Sequence, residues 1–419
     1  MRIAMVAVGT HGDIQPGLVL ARGLKAAGHT VRFVTSIYYH ELVRAAGLEP
    51  IDLNSPDPRS TMASVQAQTV AASPLRRYLR ILQPTGTPTD QQKNRMVETC
   101  RGVDLILSNY GLFYHAAAHL RIAYIGFGVT PIHATRAFPH PLSRCRRSLG
   151  GWVNLATHHA VHGLFWSRER RWVNEWRHRL GLAPENLLTV RRRIAETPFL
   201  YGISPSVIPL PSDWPKKVRM TGYWFPSDAP DWQPSPDLIQ FLGAGPPPVA
   251  VGFGSLIEPD PAGLRQILSA ALRAAGVRGL ILGDWSPPTV GDTGDQIFST
   301  SWVPFAWLMS RVSALVHHAG SGTCAQALLA GVPSVCVAFS GEQWFWAGRL
   351  QSLQVSAARV RRRLLNSTDL AKAIRRAHDD PALRAATTRV AARIAREDGV
   401  KQAVAAIEEL APAAKQSAQ

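Results

Sequence analysis

The sequence predicts an α/β protein made of two facing, doubly wound, Rossmann-like domains with a cleft between them. Three observations predict it. A strand, loop, helix and strand fill the first 36 residues, the same rhythm restarts near residue 247 after a proline-rich interval, and 419 residues exceed one ordinary core. Hydrophobic residues make up 46% and charged residues 18%, enough to fill both cores.

In chain order, "RIAMVAVG" (2–9) is a short apolar run suited to a buried strand, and "GLVLARGLKAAGH" (17–29) has helical spacing that stops at Gly28. "TVRFVTS" (30–36) reads as the next strand. The unit implies parallel pairing with a right-handed crossover. "VDLILSN" (103–109), "YGLFYHAAAHL" (110–120) and "IAYIGFG" (122–128) repeat the rhythm. Residues 144–193 carry Trp152, Trp166, Trp172 and Trp176 among arginines and histidines, and read as two helices with aromatic faces. Either the tryptophans pack on the first domain, or the segment walls an acceptor pocket or touches a membrane surface. Prolines crowd 204–217 and 224–237, where a domain linker is expected. "PPVAVGFGS" (247–255), "AGLRQILSAALRAAG" (262–276) and "VRGLILGD" (277–284) then restart the pattern. The expected division is 1–210, a linker at 211–235, 236–410 and a flexible tail at 411–419.

Composition excludes several classes. The four cysteines, Cys100, Cys145, Cys324 and Cys336, show no CxxC spacing, so neither a zinc cage nor a disulfide framework is expected. No apolar run is long enough to span a bilayer and no cleavage-type leader is visible, which points to a cytoplasmic protein. Lys plus Arg exceed Asp plus Glu by 17, but the excess is scattered, without a basic stripe interleaved with aromatics, so nucleic-acid binding is not expected. Composition bias or an anionic ligand accounts for the charge equally well.

The chemistry concentrates in "ALVHHAGSGTCAQALLAGVP" (314–333), a strand that ends in two histidines and small residues before a helix. A helix N-terminus offers unpaired N–H groups and partial positive charge, and small residues let a phosphate approach. Ser321 and Thr323 add hydroxyls and an imidazole adds a donor, so the turn suits a diphosphate; a tight turn whose histidines cap carbonyls is the plainer alternative. "SWVPFAWL" (301–308) and "SGEQWFWAGR" (340–349) belong to loops at the same strand ends, where Glu342 and Gln343 can grip sugar hydroxyls and Trp302 can stack on a base.

Six segments in order, "GTHGDIQP" (9–16), "RLGLAP" (179–184), "SPSVIPLPSDWPKKVRMTGYWF" (204–225), "VGFGS" (251–255), "HHAGSGT" (317–323) and "EQWFW" (342–346), resemble the inverting GT-B glycosyltransferases of the branch holding sterol glucosyltransferases and bacterial natural-product glycosyltransferases, within the UDP-glycosyltransferase superfamily. The resemblance implies a first domain for the acceptor and a second for a nucleotide-sugar donor. It implies that His318, Gly320, Ser321, Gly322 and Thr323 meet the donor diphosphate, that Glu342 and Gln343 hold the donor sugar, and that Ser255, Trp302 and Val303 line the nucleoside site. Asp13 matches the general base, with an ordinary helix-capping aspartate as its plainer reading. His11 stands where relatives often carry arginine, and is expected to pair with an acid, assist the base or face solvent. Phe305 also departs from the pattern near the base-binding turn, leaving UDP and dTDP sugars both open.

Transfer is expected to be metal-independent, since no D-x-D motif precedes the donor loops; the nucleotide sugar is a co-substrate and no cofactor is expected. The expected acceptor is a small, hydrophobic hydroxylated molecule of antibiotic type, with a lipid acceptor and peripheral membrane contact left open, and the protein is expected as a monomer or homodimer. A nicotinamide dehydrogenase would need GxGxxG and a later acid, which "GTHGDIQPG" and "TVRFVTS" lack. A non-catalytic relative that binds a partner or ligand is the other alternative.

Overall fold

The computed structural model describes residues 1–55, 57, 87–143, 148, 150–225, 232–254, 258–283 and 296–416. Ser255, Cys145 and residues 226–231 of the expected linker lie outside the described residues. The chain forms two units, Met1–Pro205 with Pro209–Pro226 and Asp398–Gln419, and Ser206–Ile208 with Ser227–Glu397.

The first unit holds β1 (Arg2–Val6), β2 (Thr30–Thr35), β3 (Glu49–Asp52), β4 (Leu105–Ser108), β5 (Ala123–Gly128), β6 (Phe199–Tyr201) and β7 (Val218–Met220). They form one sheet in the order β3-β2-β1-β4-β5-β6-β7, every pair parallel. Parallel strands covered on both faces are apolar along their buried length, and after the exposed Arg2 β1 is: Ile3 and Met5 enter one core while Ala4 and Val6 enter the other. Leu105 and Leu107 of β4 join the first core and Ile106 the second, the period of two that a strand imposes.

The helix His11–Ala26 lays Ile14, Leu18, Ala21 and Leu24 on the first core, and Gly28, at φ +87°, turns the chain towards β2. It starts five residues before Pro16, where the sequence suggested a boundary. A proline at the sixth helical position deletes the hydrogen bond to Gly12, which lies in the exposed first turn, so the loss falls where water can compensate. The aromatic segment contains a 29-residue helix, Gly151–Arg179, and a second one, Leu187–Glu196. Trp166 and Trp176 are buried in the unit's cores, while Trp152 is exposed beneath the Arg136 guanidinium, 3.8 Å from the ring centre.

Two expected boundaries differ from the structure. Residues 211–225, read as linker, include β7, a three-residue edge strand whose flanking prolines are tolerated because an edge leaves one side unpaired. Residues 411–416 of the expected tail belong to the helix Gly399–Gln416 of the first unit, whose Ala403, Ile407, Leu410, Ala411 and Ala414 fill the core against the helix His11–Ala26; residues 417–419 lie outside the described residues. Burying Ile407 and Leu410 contributes roughly 3–6 kcal/mol relative to exposure.

The second unit holds β8 (Val249–Gly252), β9 (Gly279–Leu282), β10 (Ile297–Thr300), β11 (Ala314–His317), β12 (Ser334–Ala338) and β13 (Ser356–Arg361), ordered β10-β9-β8-β11-β12-β13 and wholly parallel. Each sheet therefore reverses its strand order once, between β1 and β4 and between β8 and β11. Ligands of such sheets bind outside the carboxyl ends of the strands at that reversal. The two-sheet, Rossmann-like class expected from the sequence is the class observed.

Candidate active site

After β1 the chain passes through Gly9, whose φ of +130° only glycine adopts readily. A Cβ there would overlap Asp13 Oδ2 and lie 2.7 Å from Asp13 Cγ. Thr10 is the N-cap, and Asp13, at the third helical position, folds back on it: Oδ2 accepts the Thr10 N–H at 2.8 Å and the Thr10 hydroxyl at 2.9 Å. Asp13 thus does cap the helix, from the third position rather than as the N-cap. Its other oxygen, Oδ1, takes no hydrogen bond among the described residues. Burial pushes the carboxyl above the usual carboxylate range, against the downward pull of the Thr10 backbone and hydroxyl bonds. A buried carboxylate with one oxygen anchored and one open has the form of a proton acceptor. His11 is the first helical residue and is exposed; partial burial lowers its imidazole below the ordinary range, and no acid pairs with it among the described residues.

Asn109 is a site residue that the sequence reading missed. It follows β4, the neighbour of β1, and clamps the loop after β1 at two points: Oδ1 accepts the Val8 N–H at 2.9 Å and Nδ2 donates to the Val8 carbonyl at 3.0 Å. Nδ2 also approaches the Asp13 carbonyl at 3.5 Å. The signal that could have found it is positional: a side chain with both donor and acceptor ends the strand across the reversal from β1.

In the second unit, β11 ends at His317, and His318 stands between two glycines. A Cβ on Gly254 would lie 3.2 Å from His318 Cε1, and one on Gly320 would overlap Nε2 and lie 3.1 Å from Cδ2. Burial lowers the His318 imidazole to about 4, so the ring is neutral at neutral pH. Its Nδ1 is buried and has no hydrogen-bond partner among the described residues. Gly320 then N-caps the helix Ser321–Leu329 with no side chain to close its first turn, so the leading N–H groups point outward. A Cβ on Gly322 would meet nothing within 4 Å. Oriented N–H groups, a bare surface and a sealed imidazole together form an anion cradle.

The helix Gly341–Ser352 follows β12. Gln343, its third residue, caps its own helix start through Oε1, which accepts the Phe339 and Ser340 N–H groups at 2.7 and 3.1 Å. The amide oxygen is thereby occupied, so Gln343 offers a ligand its donor end only, narrower than the donor-and-acceptor role expected. Glu342 lies in the same first turn, half-buried. Burial pushes the Cys324 thiol of the helix Ser321–Leu329 upward, with nearby Cys336 and Glu342 adding to the shift. Phe253 and Phe339 rings, 5.4 Å apart, join the loops after β8 and β12. Trp302 is 58% exposed and meets Trp232 edge-on at 6.3 Å, while Val303 is buried in the core. Gly254, His318, Gly320 and Gly322 are thus gathered at the β8–β11 reversal, Glu342 and Gln343 stand beside them, and Trp302 and Val303 follow the sheet's edge strand β10. Among the described residues, no cluster of His, Cys, Asp or Glu is placed to hold a metal ion, and no helix is long and apolar enough to cross a membrane.

Two wholly parallel sheets, each with its functional loops at the reversal, define the class: a glycosyltransferase of the GT-B fold. Residues 3–105 match the glycosyltransferase family 28 N-terminal domain and residues 280–410 match the C-terminal domain of the erythromycin biosynthesis protein CIII-like family. The chain is 36% identical over 418 residues to O-mycaminosyltylonolide 6-deoxyallosyltransferase of Streptomyces fradiae, covering 98% of each. It is 31% identical to the sterol 3-beta-glucosyltransferase of Emericella nidulans over 97% of this chain but only 30% of that enzyme's length. The solved glycosyltransferase VinC in complex with DTDP superposes with a TM-score of 0.65 at 19% identity, over 99% of this chain and all of that one. The chain belongs to the glycosyltransferase family that joins the antibiotic-glycosylating and sterol-glucosylating enzymes, as the six segments led us to expect.

Proposed function

We propose that the protein is an inverting transferase that moves a sugar from a UDP- or dTDP-sugar to a hydroxyl of a hydrophobic natural-product acceptor. The observation that carries the donor half is the helix start at Ser321, without a side-chain cap, beside a His318 imidazole whose Nδ1 has no hydrogen-bond partner among the described residues. In this reading Asp13 Oδ1 takes the acceptor's proton, the acceptor oxygen bonds to the anomeric carbon from the face opposite the nucleotide, and the bond from that carbon to the diphosphate oxygen breaks. The Ser321, Gly322 and Thr323 N–H groups, the hydroxyls and His318 meet the charge of the leaving diphosphate, so no metal is required for that task. Glu342 accepts from donor-sugar hydroxyls, Gln343 donates to them, and Trp302, Val303 and Ser255 line the nucleoside. Support for the acceptor class comes from the Streptomyces fradiae relative, whose name gives both a deoxysugar and an acceptor already carrying a mycaminosyl group.

The test incubates the protein with UDP- and dTDP-sugars and a panel of hydroxylated polyketide and sterol acceptors, reading product by mass and anomeric configuration by NMR. Inverted product that persists in EDTA is the expected result. Retained configuration, or loss of transfer in EDTA restored only by a divalent ion, overturns it. Nucleotide binding without turnover across the panel, unaltered by Asp13→Asn, would favour the non-catalytic alternative.

A further inference from the structure

The two adjacent histidines do different things. His317 is fully buried at the end of β11, with Nδ1 accepting the Ala319 N–H at 3.2 Å and Nε2 directed at Cys336 Sγ, 3.9 Å away on β12. Since Nδ1 accepts, the ring proton sits on Nε2 and points into the sheet. Cys336 in turn meets the Ser356 hydroxyl of β13 at 3.5 Å, so the imidazole is wedged between its own turn and the adjacent strand β12.

Ala319 is the unusual residue it holds. Its φ of +61° is left-handed, a region that alanine rarely adopts, and its side chain is fully buried. The turn at Ala319 sets His318 against Gly254 and Gly320 and starts the helix at Ser321 with its N–H groups uncovered. Relaxing Ala319 to an ordinary backbone would rotate its amide, swing His318 into the space the two glycines leave for it, and redirect the helix start. Strain kept at such a point persists only where surrounding bonds over-determine it.

We infer that His317 is a positioning residue for the donor site: its Nδ1 bond to the Ala319 N–H locks the left-handed turn that aims His318 and the Ser321 helix start at the diphosphate. The inference rests on the donor reading of this loop proposed above. His317 touches no ligand; it acts through Ala319.

The test is a set of full-length variants measured by calorimetric titration with UDP and dTDP, alongside thermal melting. His317→Leu keeps bulk and removes the acceptor; His317→Asn places an amide oxygen where Nδ1 stood; Ala319→Gly removes the steric cost of the left-handed turn. His317→Leu is expected to weaken nucleotide binding about ten-fold or more, His317→Asn to stay within about three-fold of wild type, and the His317→Leu/Ala319→Gly pair to recover most of the loss. A purely structural role would not be rescued by a glycine two residues away. His317→Leu binding as wild type, or a folded double variant as weak as His317→Leu, overturns the inference. If His317→Leu does not fold alone, the double variant decides: recovery of nucleotide binding supports the lock and weak binding refutes it. Failure of the wild-type protein to bind either nucleotide would instead overturn the donor reading itself.

Discussion

Gly9→Ala concentrates the first sheet's case into one methyl group. The added Cβ would lie 2.7 Å from Asp13 Cγ and overlap Oδ2, and ordinary contact begins near 3.4 Å, so the carboxylate must retreat by about 0.7 Å or the loop must move. The retreat breaks the 2.8 and 2.9 Å bonds from Thr10 that fix Oδ2. The backbone adds its own cost, since φ of +130° strains any residue with a side chain by about 1–3 kcal/mol. A displacement approaching 1 Å at a reacting group costs on the order of 10²-fold in rate. We therefore expect kcat with saturating donor and a responsive acceptor to fall about 100-fold, with the Kd for nucleotide unchanged, because the anion cradle is built from the other sheet. The assay pairs initial rates with nucleotide titration and melting. A folded variant with kcat within about three-fold of wild type would refute the link between Gly9 and Asp13. Parallel loss of nucleotide binding would refute the claim that the damage is local.

Three further predictions follow from the same geometry. Asp13→Asn should lower kcat by about 10²–10⁴-fold and abolish the acidic limb of the pH profile. In the wild type that limb should lie above the ordinary aspartate range, because burial raises the Asp13 carboxyl and only its ionised form accepts a proton. The same shift has a stability sign: the folded state holds the Asp13 proton more tightly than the unfolded chain, so this group's contribution declines as pH rises between the two pKa values, and the melting advantage of Asp13→Asn should appear at neutral pH and vanish in acid. Asn109→Ala removes both clamps on Val8 and should lower kcat about ten-fold or more with little change in nucleotide affinity, Asn109→Leu behaving alike; unchanged kcat would show that the loop holds itself. Ile407→Ala should cost about 2–5 kcal/mol in denaturant unfolding, and a loss below 1 kcal/mol would show that the helix Gly399–Gln416 is not integral to the first core.

What the sequence revealed and what it concealed divide along physical lines. Buried parallel strands announce themselves, because "RIAMV" and "ALVH" must be apolar on both faces, and the glycine turns after them are written in residue type. The bareness of "AGSGT" was legible as a place where backbone must meet something charged. The helix start at His11 was obscured by Pro16, which normally marks a first turn. The destination of Gly399–Gln416 was not legible either, since amphipathic spacing shows that a helix has a partner without showing which core supplies it. Ala319 gave no signal at all: alanine rarely adopts a left-handed backbone, and only its neighbours hold it there.

The missed Asn109 and the expected His318 share one property: each lies against backbone across a strand reversal. Asn109 sits 101 positions from the Val8 amide it clamps, yet β4 and β1 are adjacent, so the two are neighbours through the sheet. His318 stands in the same relation to Gly254, at the ends of the adjacent strands β11 and β8. In both sheets the first strand ends in a loop with a positive-φ glycine, Gly9 or Gly254, and the strand across the reversal supplies a side chain that meets that loop. A glycine loop exposes backbone for close approach but cannot fix its own shape; a polar side chain on the adjoining strand can fix it or stand beside it as a ligand. The first sheet uses Asn109 to fix the loop at Val8 and leaves Asp13 Oδ1 without a hydrogen bond among the described residues. In the second, His318 Nδ1 has no partner among the described residues, and His317, one residue earlier and buried in the strand, holds its own turn at Ala319. Adjacent histidines in "ALVHH" thereby divide two tasks that the first sheet distributes between β4 and the helix after β1.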